Sequence, residues 1–288
     1  MNAPRSRLRL ESLLALLTLL LLLLGGDGVR QTETAVQTEL TVYFLDVGQG
    51  DAAILVSGEH AMIIDGGDAS KSRLIYSYLR NTLGITHLDA VIGTHPHDDH
   101  IGGLAAALNA CTASHVYCSV TAWDSRAFRS LEKYTLAQGL TITVPIEGEC
   151  FPLGSTVVTF LSDGQGYEDV NDGSLIIRVD CGETSFLFTG DAAWEAERAL
   201  LTNGARLDAD VLKVAHHGSI SSSSSAFLHA VVPEYAVISV GKDNSYGHPA
   251  EDALARLADT GAEILRTDEH GTICIHTDGT HLTVTTEK

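Results

Sequence analysis

An apolar strand that runs directly into a dense set of ligand-type side chains is the most restrictive feature of this sequence. Residues 88–94 (LDAVIGT) have the composition of a buried strand, and residues 95–100 read HPHDDH. Residues 101–109 then have helical composition, with two glycines near the start. Strand, polar turn and helix form the βα unit of a parallel sheet, where ligand sites lie at the carboxyl ends of strands. We therefore predict a functional site at the end of this strand.

The rest of the chain continues the pattern of short β-rich runs and helical segments. Further strands are predicted at residues 41–46, 52–57, 61–64, 114–118, 141–144, 156–161, 175–180, 185–189, 211–215 and 235–239, and a terminal hairpin at 272–286. Further helices are predicted at residues 70–83, 125–138, 193–201, 224–231 and 251–260. Strands followed by alternating strands and helices occur twice. This order predicts an α/β (α+β) fold in which two mixed sheets pack face to face between helices, a four-layer αββα sandwich formed by one domain over residues 40–288.

The N-terminal segment differs from everything that follows it. Three arginines within residues 5–9 precede an apolar run at residues 13–24. This is the order of a secretory signal, and the run is shorter than the roughly 20 residues of a spanning helix. We predict that residues 1–28 are a signal peptide or an uncleaved N-terminal anchor, followed by a polar linker at 29–39. The protein would then be secreted or extracytoplasmic, with membrane contact only through this segment.

The overall charge limits the kinds of partner. The chain has 37 acidic and 18 basic residues, a formal net charge of -19. A molecule of this charge repels polyanions, which argues against nucleic-acid binding through a broad basic face. Bound divalent cations would reverse the field locally. An anionic substrate therefore remains possible at a site that holds metal ions.

The five cysteines contain no CxxC pair, which argues against a structural zinc knuckle. Two interpretations stay open for them. In an exported protein a disulfide could join Cys111 to Cys118, or Cys118 to Cys150. Alternatively, the thiols are buried and act as small apolar side chains.

The polar turn after the strand carries the chemistry. His95, His97, Asp99 and His100 lie within six residues. Imidazole and carboxylate are ligands for zinc, manganese and iron, and a tight turn can direct them alternately at two neighbouring ions. A solvated polar turn is the alternative, but four ligand-type side chains between an apolar strand and a Gly-Gly pair argue against it.

These residues also carry a family resemblance. Residues 94–103 are similar to the HxHxDH signature of the metallo-β-lactamase superfamily. Residues 44–51 (FLDVGQGD) and 63–67 (IIDGG) resemble in particular the catalytic domain of the ComEC DNA-uptake proteins. The likeness covers nearly all of residues 40–288, through segments 188–191, 212–219, 246–249 and 266–268.

The resemblance implies a centre of two divalent ions, zinc or manganese. Its first ion would be held by His95 and His97, its second by Asp99, His100 and His217, and Asp191 would bridge both. His216 would contact a ligand residue or the substrate, although the two adjacent histidines could exchange roles. Asp191 closes an apolar strand after a glycine, which suits an exposed carboxylate; the alternative is that it caps the helix beginning near Ala193.

One motif departs from the wider superfamily. The histidine that the third motif normally supplies to the first ion is replaced by residues 171–175 (NDGSL), a pattern that resembles ComEC proteins. Asn171 and Ser174 would therefore contact ligand residues or the substrate. Fewer nitrogen ligands and harder oxygen donors predict weaker binding of the first ion, or a preference for manganese over zinc.

Four more side chains are interpreted from their positions. Asp65, and Asp46 with it, lie at strand ends; by analogy Asp65 orients a metal-bound histidine, the alternative being a turn-forming carboxylate. Lys213 would pair with a carboxylate or with substrate. His248 lies in a Gly-His-Pro turn that the resemblance places at the mouth of the site, where it would donate to an anionic oxygen or protonate a leaving group.

The predicted function is metal-dependent hydrolysis of a phosphodiester by a hydroxide bridging two ions, with Asp99, Asp191 and His248 as catalytic residues. The substrate would be nucleic acid or a smaller anionic diester, such as a choline phosphate on an envelope polymer. Two alternatives remain. A lactamase or lactonase is disfavoured by the missing third-motif histidine, and a non-catalytic binding module could retain the fold.

Overall fold

The computed structural model describes residues 38–288. The predicted signal peptide or anchor, and residues 29–37 of the predicted linker, lie outside the described residues. Within residues 38–288 there is no helix that is both long and apolar enough to cross a membrane.

The first sheet of the described chain has eight strands in the order β15-β14-β1-β2-β3-β4-β5-β6. They are β1 (Leu40–Phe44), β2 (Ala53–Ser57), β3 (His60–Ile64), β4 (His87–Gly93), β5 (Thr112–Cys118), β6 (Ile142–Thr143), β14 (Ile273–Thr277) and β15 (Leu282–Thr286). Pairing is antiparallel from β15 to β3 and parallel from β3 to β6. The central strand β4 is buried on both faces over most of its length, as a parallel strand covered on both sides must be.

The second sheet repeats this arrangement with seven strands in the order β13-β12-β11-β10-β9-β8-β7. They are β7 (Cys150–Leu153), β8 (Thr156–Ser162), β9 (Ile176–Cys181), β10 (Thr184–Phe188), β11 (Val211–Lys213), β12 (Tyr235–Ile238) and β13 (Glu263–Arg266). Pairing is antiparallel from β7 to β10 and parallel from β10 to β13.

Within residues 38–288 there are eight α-helices: α1 (Ser72–Ser77), α2 (Asp98–Ile101), α3 (Leu104–Ala110), α4 (Arg126–Ala137), α5 (Trp194–Asn203), α6 (Ser225–Val231), α7 (Glu251–Ala258) and α8 (Thr267–His270). Serine side chains start two of them, since Ser125 accepts a hydrogen bond from the N–H of Phe128 and Ser224 from that of Phe227. Gly204, with φ of 70°, ends α5 in the left-handed conformation that glycine adopts without strain.

Three apolar clusters show the four layers. The inner cluster joins the two sheets and includes Phe44, Ile92, Phe160, Phe186 and Phe188. A second cluster packs the first sheet against α1, α3 and α4, and a third packs the other sheet against α5, α6 and α7. The predicted four-layer αββα sandwich is confirmed.

Several local predictions need correction. The helix predicted over residues 70–83 is a 3-10 turn, α1 and a π turn in succession. Strands β7 and β13 and the short helix α8 were not predicted. All five cysteines are free, so neither candidate disulfide is formed. The interpretation as buried thiols holds for Cys111, Cys118 and Cys181, whereas Cys150 is exposed and Cys274 is half-buried.

Candidate metal centre

The carboxyl ends of strands from both sheets meet at one place. His95 follows β4, and the polar turn leads at once into α2, so that His97 immediately precedes the helix and Asp99 and His100 lie in its only turn. His95 and His100 are completely buried. The Nε2 atom of His95 lies 3.0 Å from Nδ1 of His97, so these two rings point a nitrogen at the same position.

Asp191 approaches this cluster from the second sheet. Its Oδ1 lies 3.2 Å from Nε2 of His100 and its Oδ2 lies 3.9 Å from Nε2 of His95. Gly190 precedes it with φ of 50°, and a Cβ there would lie 2.9 Å from the Cβ of Thr94. A side chain at position 190 would therefore push the strand end away from the histidines.

His217 faces the same carboxylate from the loop after β11. Its Nδ1 lies 2.9 Å from the backbone oxygen of Ser239, which can only accept a hydrogen bond. Nδ1 must therefore carry a proton, and in the neutral ring the lone pair lies on Nε2. That atom lies 3.4 Å from Oδ2 of Asp99 and 3.6 Å from Oδ1 of Asp191.

His216 occupies a different position from its neighbour. Its side chain is about one quarter exposed, and its Nε2 lies 3.8 Å from Oδ2 of Asp191. It is also 5.7 Å from His248, ring centre to ring centre. Among the described residues, His217 belongs to groups of side chains that could hold a metal ion, whereas His216 belongs to none of them.

His100 is oriented from behind by Asp65. Oδ2 of Asp65 lies 2.9 Å from Nδ1 of His100, and its Oδ1 accepts a hydrogen bond from the N–H of Thr94 at 2.8 Å. A carboxylate on the far ring nitrogen fixes the tautomer of a metal-binding histidine and its direction. Of the two roles considered for Asp65, its contacts match the orienting one.

The donor set fits divalent cations. Within residues 38–288, His95, His100 and Asp191 form one group whose ligand atoms lie within 4.8 Å of one another, and Asp99, His100 and His217 form another. Nε2 of His100, Oδ1 of Asp191 and Nε2 of His217 are buried without a hydrogen-bond partner, although such atoms are normally satisfied. Imidazole nitrogens and carboxylate oxygens at this spacing suit zinc or manganese.

A cavity of about 370 Å³ opens onto these atoms. We call it the site cavity; its lining residues are Gln49, His97, Asp98, Asp99, Asn171, Asp191, His216, His217, Tyr246 and His248. Its size lies in the range of small-molecule sites. It therefore has room for a ligand beside the donor cluster.

Comparison with known proteins identifies the family. A profile of the Metallo-beta-lactamase superfamily matches residues 45–242. The chain belongs to the metallo-β-lactamase superfamily. The ComE operon protein 3 of Bacillus subtilis is 29% identical over 82% of this chain, and the competence protein ComA of Neisseria gonorrhoeae is 30% identical over 88%. The expected resemblance to competence proteins is confirmed; the chain spans about a third of the length of these two relatives, 33% and 34%.

A solved structure supports the fold assignment alone. The metallo-β-lactamase fold protein YhfI from Bacillus subtilis aligns with a TM-score of 0.55 over 83% of this chain and 100% of its own, at 16% identity.

The segment that departs from the metallo-β-lactamase signature has several structural roles. Ser174 accepts a hydrogen bond from the N–H of Asp191 at 3.1 Å, and its hydroxyl lies 3.4 Å from Nδ1 of His95. Asn171 lines the site cavity, and its side-chain oxygen is buried without a partner. Asp172 caps α5 from a distance, so Asp191 is not the capping residue.

Asp51 is a site residue that was not predicted from the sequence. It is buried, and its Oδ2 lies 2.7 Å from Nζ of Lys213, while its Oδ1 lies 3.2 Å from Nδ1 of His217. Lys213 therefore pairs with a carboxylate, one of its two predicted roles. Asp51 ends the motif at residues 44–51, but nothing in that segment alone indicates that its side chain reaches the site.

Asp51 and Asp65 complete two further ligand-type groups. Both carboxylates face Nδ1 of a histidine, His217 and His100 respectively, on the side of the ring away from the donor cluster. They are better placed to orient the rings than to bind an ion. Asp46, by contrast, lies outside the centre, where its Oδ2 is 3.4 Å from Nζ of Lys288.

The charged groups of the centre shift one another's pKa values. Burial alone would raise the pKa of Asp191, but the facing rings of His100 and His217 hold it well below its ordinary value. Burial would lower the pKa of His217, yet Asp191 and Asp51 outweigh it and raise that pKa to about 10. For His95, burial and the neighbouring His100 hold the pKa well below its ordinary value. Asp191 is thus ionised and His95 neutral, the forms that bind cations.

Proposed function

We propose that this chain is a metal-dependent phosphodiesterase whose substrates include nucleic acid. The convergence of donor atoms around Asp191 carries the proposal, because its carboxylate lies between His95 on one side and His217 on the other. That position suits a ligand shared by two ions. The resemblance to the ComEC DNA-uptake proteins, together with the relationship to the competence protein of Neisseria gonorrhoeae, supports nucleic acid as a substrate.

Two ions, zinc or manganese, would be held by His95 and His97, by Asp99, His100 and His217, and by Asp191 between them. Bound cations would supply Lewis-acid chemistry, polarising a phosphoryl oxygen and making water acidic enough to attack at neutral pH. They would also cancel the carboxylate charge that otherwise repels an anionic substrate. Asp65 and Asp51 would keep the rings of His100 and His217 aligned throughout.

His248 is the proposed hydrogen-bond donor from the chain to the substrate. It lines the site cavity, where burial and the nearby His216 lower the pKa of His248. A lowered pKa leaves the ring neutral at pH 7, so it would donate a hydrogen bond to a phosphoryl or leaving oxygen as a neutral imidazole. Of the two roles predicted for His248, we therefore propose donation of a hydrogen bond to an anionic oxygen.

Turnover of three substrates tests the function. The protein is loaded with zinc or manganese and assayed on bis(p-nitrophenyl) phosphate, single-stranded DNA and nitrocefin. We expect hydrolysis of the two diesters and none of nitrocefin. Asp191→Asn should abolish turnover while the variant still folds and unfolds cooperatively on heating, and Asp124→Asn, at an exposed site, is the matched control. Retained activity in Asp191→Asn, or turnover of nitrocefin alone, would overturn the proposal.

Export is the second part of the proposal and depends on residues 1–28 alone. Fractionation of cells that express the full chain should place it outside the cytoplasm, and deletion of residues 5–24 should retain it inside. Equal distribution of the two forms would contradict export.

A further inference from the structure

An exposed aromatic ring stands at the wall of the site cavity. Tyr246 is 70% exposed, the largest exposed fraction of any aromatic side chain in residues 38–288. The other exposed aromatic residues of this range, Tyr76, Trp123 and Trp194, do not line this cavity. Exposing this much aromatic surface to water is unfavourable. A ligand that covers the ring would remove this cost and gain affinity from the contact.

The ring is aligned with a proposed catalytic residue. The planes of Tyr246 and His248 are 6° apart, with their centres separated by 5.8 Å. This is an offset, nearly parallel arrangement of the kind that aromatic pairs prefer. Because the Tyr246 ring remains mostly exposed, it offers a flat surface beside the position where His248 would contact a phosphoryl oxygen.

The loop that carries the two rings is fixed by one side chain. Oδ1 of Asn244 accepts hydrogen bonds from the N–H groups of Tyr246 and His248, both at 3.1 Å. Its Nδ2 donates to the backbone oxygens of Gly241, at 3.0 Å, and of His248, at 2.6 Å. These hydrogen bonds from a single residue hold the backbone on both sides of the ring. The surface is thus ordered before a ligand arrives, which reduces the entropy lost on binding.

We infer that Tyr246 forms a stacking subsite for a nucleobase adjacent to the phosphate position. The inference rests on the proposed function, since it places the subsite next to a bound phosphoryl group. Stacking on an aromatic side chain tolerates different bases, because every base has a π face. The subsite would therefore favour nucleotides over other phosphates without selecting a base sequence.

Two phosphate monoesters of equal charge, neither of which contains a diester bond, isolate the contribution of the base. AMP and ribose 5-phosphate are titrated separately by calorimetry into the manganese-loaded protein. The wild type should bind AMP roughly tenfold more tightly, as expected for one stacked base. In Tyr246→Ala this ratio should fall to about one, with the affinity for ribose 5-phosphate unchanged.

Three variants distinguish stacking on the ring from a contact of the tyrosine hydroxyl and from a general surface effect. Tyr246→Phe and Tyr246→Trp keep an aromatic face and should retain the ratio, whereas a hydroxyl contact would be lost in both. Tyr76→Ala removes an exposed tyrosine on α1 and should behave as wild type. A ratio near one in the wild type, or an unchanged ratio in Tyr246→Ala, overturns the stacking subsite.

Hydrolysis of bis(p-nitrophenyl) phosphate, measured in parallel, distinguishes the two proposals. If diester hydrolysis is present and the ratio is one, the subsite is wrong and the function stands. If neither phosphate binds and no diester is hydrolysed, both are overturned.

Discussion

Asp172 caps the helix that Asp191 was a candidate to cap: its Oδ1 accepts a hydrogen bond from the N–H of Ala193 at 3.0 Å. The same oxygen accepts a second one from Ala196, also at 3.0 Å. The two carboxylates thus divide two tasks that a single residue could have performed. Asp191 is left with its oxygens directed at imidazole nitrogens.

We expect the two residues to respond differently to substitution. Asp172→Ala removes a helix cap and should lower the free energy of unfolding by about 1 kcal/mol, with metal binding retained. Asp191→Asn should abolish tight metal binding. It should also destabilise the metal-free protein at neutral pH, because the buried rings of His100 and His217 lose the carboxylate that they face. Urea denaturation of both variants measures the free energy of unfolding, and metal titration measures their metal affinity. Together they test whether Asp172 caps the helix while Asp191 binds metal. Loss of tight metal binding in Asp172→Ala, or its retention in Asp191→Asn, would contradict it.

Asp65 should act on metal affinity through His100. Removing a carboxylate that orients a metal-binding histidine typically costs about 10- to 100-fold in affinity. We expect Asp65→Asn to weaken binding of at least one ion by this amount, because His100 would lose the partner on its far nitrogen. Competition with a chromophoric chelator gives the affinity. Asp89→Asn is a control, since Asp89 pairs with an exposed histidine away from the centre; an identical loss there would show a non-specific effect.

The buried pair of Asp51 and Lys213 predicts a non-additive effect on stability. Replacing one partner leaves an uncompensated buried charge, so Asp51→Asn or Lys213→Met should each destabilise the fold by about 3–5 kcal/mol. The double variant should be less destabilised than the sum of the two single ones. Asp124→Asn, which breaks an exposed pair with Arg129, should change stability by less than about 1 kcal/mol. Additive single effects would argue that the two residues act independently.

The metal-free protein should lose stability as the pH rises above neutral. Because the pKa of His217 is raised from 6.5 to about 10 in the folded chain, its protonation stabilises the fold fully below about pH 6.5. This contribution is lost as the pH rises through about 10. Cations must displace the same proton, so their affinity should increase over that range.

Chemical denaturation from about pH 6.5 to about pH 10 in the presence of a chelator measures this slope. His217→Gln should make the slope shallower, and metal-loaded protein should show little of it. A stability that is constant or rises over this interval in the metal-free wild type would contradict the assignment.

The sequence could identify the candidate ligand residues because each lies in a short local pattern. His95 to His100 follow an apolar strand, and Asp191 follows another after a glycine. Contacts between distant parts of the chain were not predictable in this way. The pairing of Asp51 with Lys213 and the cap from Asp172 depend on how the two sheets align, and no periodicity within a single segment reports that.

The missed strands have a similar explanation. β7 and β13 are four residues each, and both lie at an edge of the second sheet. An edge strand is covered on fewer sides than a central one, and these two have only one fully buried residue apiece. Such short strands show almost no alternation of apolar and polar residues, which is the signal that predicts a strand from sequence.

The donor atoms come from opposite halves of the polypeptide, His95 to His100 from the first sheet and Asp191 and His217 from the second. Neither half contains all the residues of the group formed by His95, His100 and Asp191. The same holds for the group formed by Asp99, His100 and His217. A cation bound here would join the two sheets. Its removal would weaken the contact between the sheets before either sheet unfolds. Chelation should therefore speed unfolding of the whole domain, even though every ligand lies at one end of it.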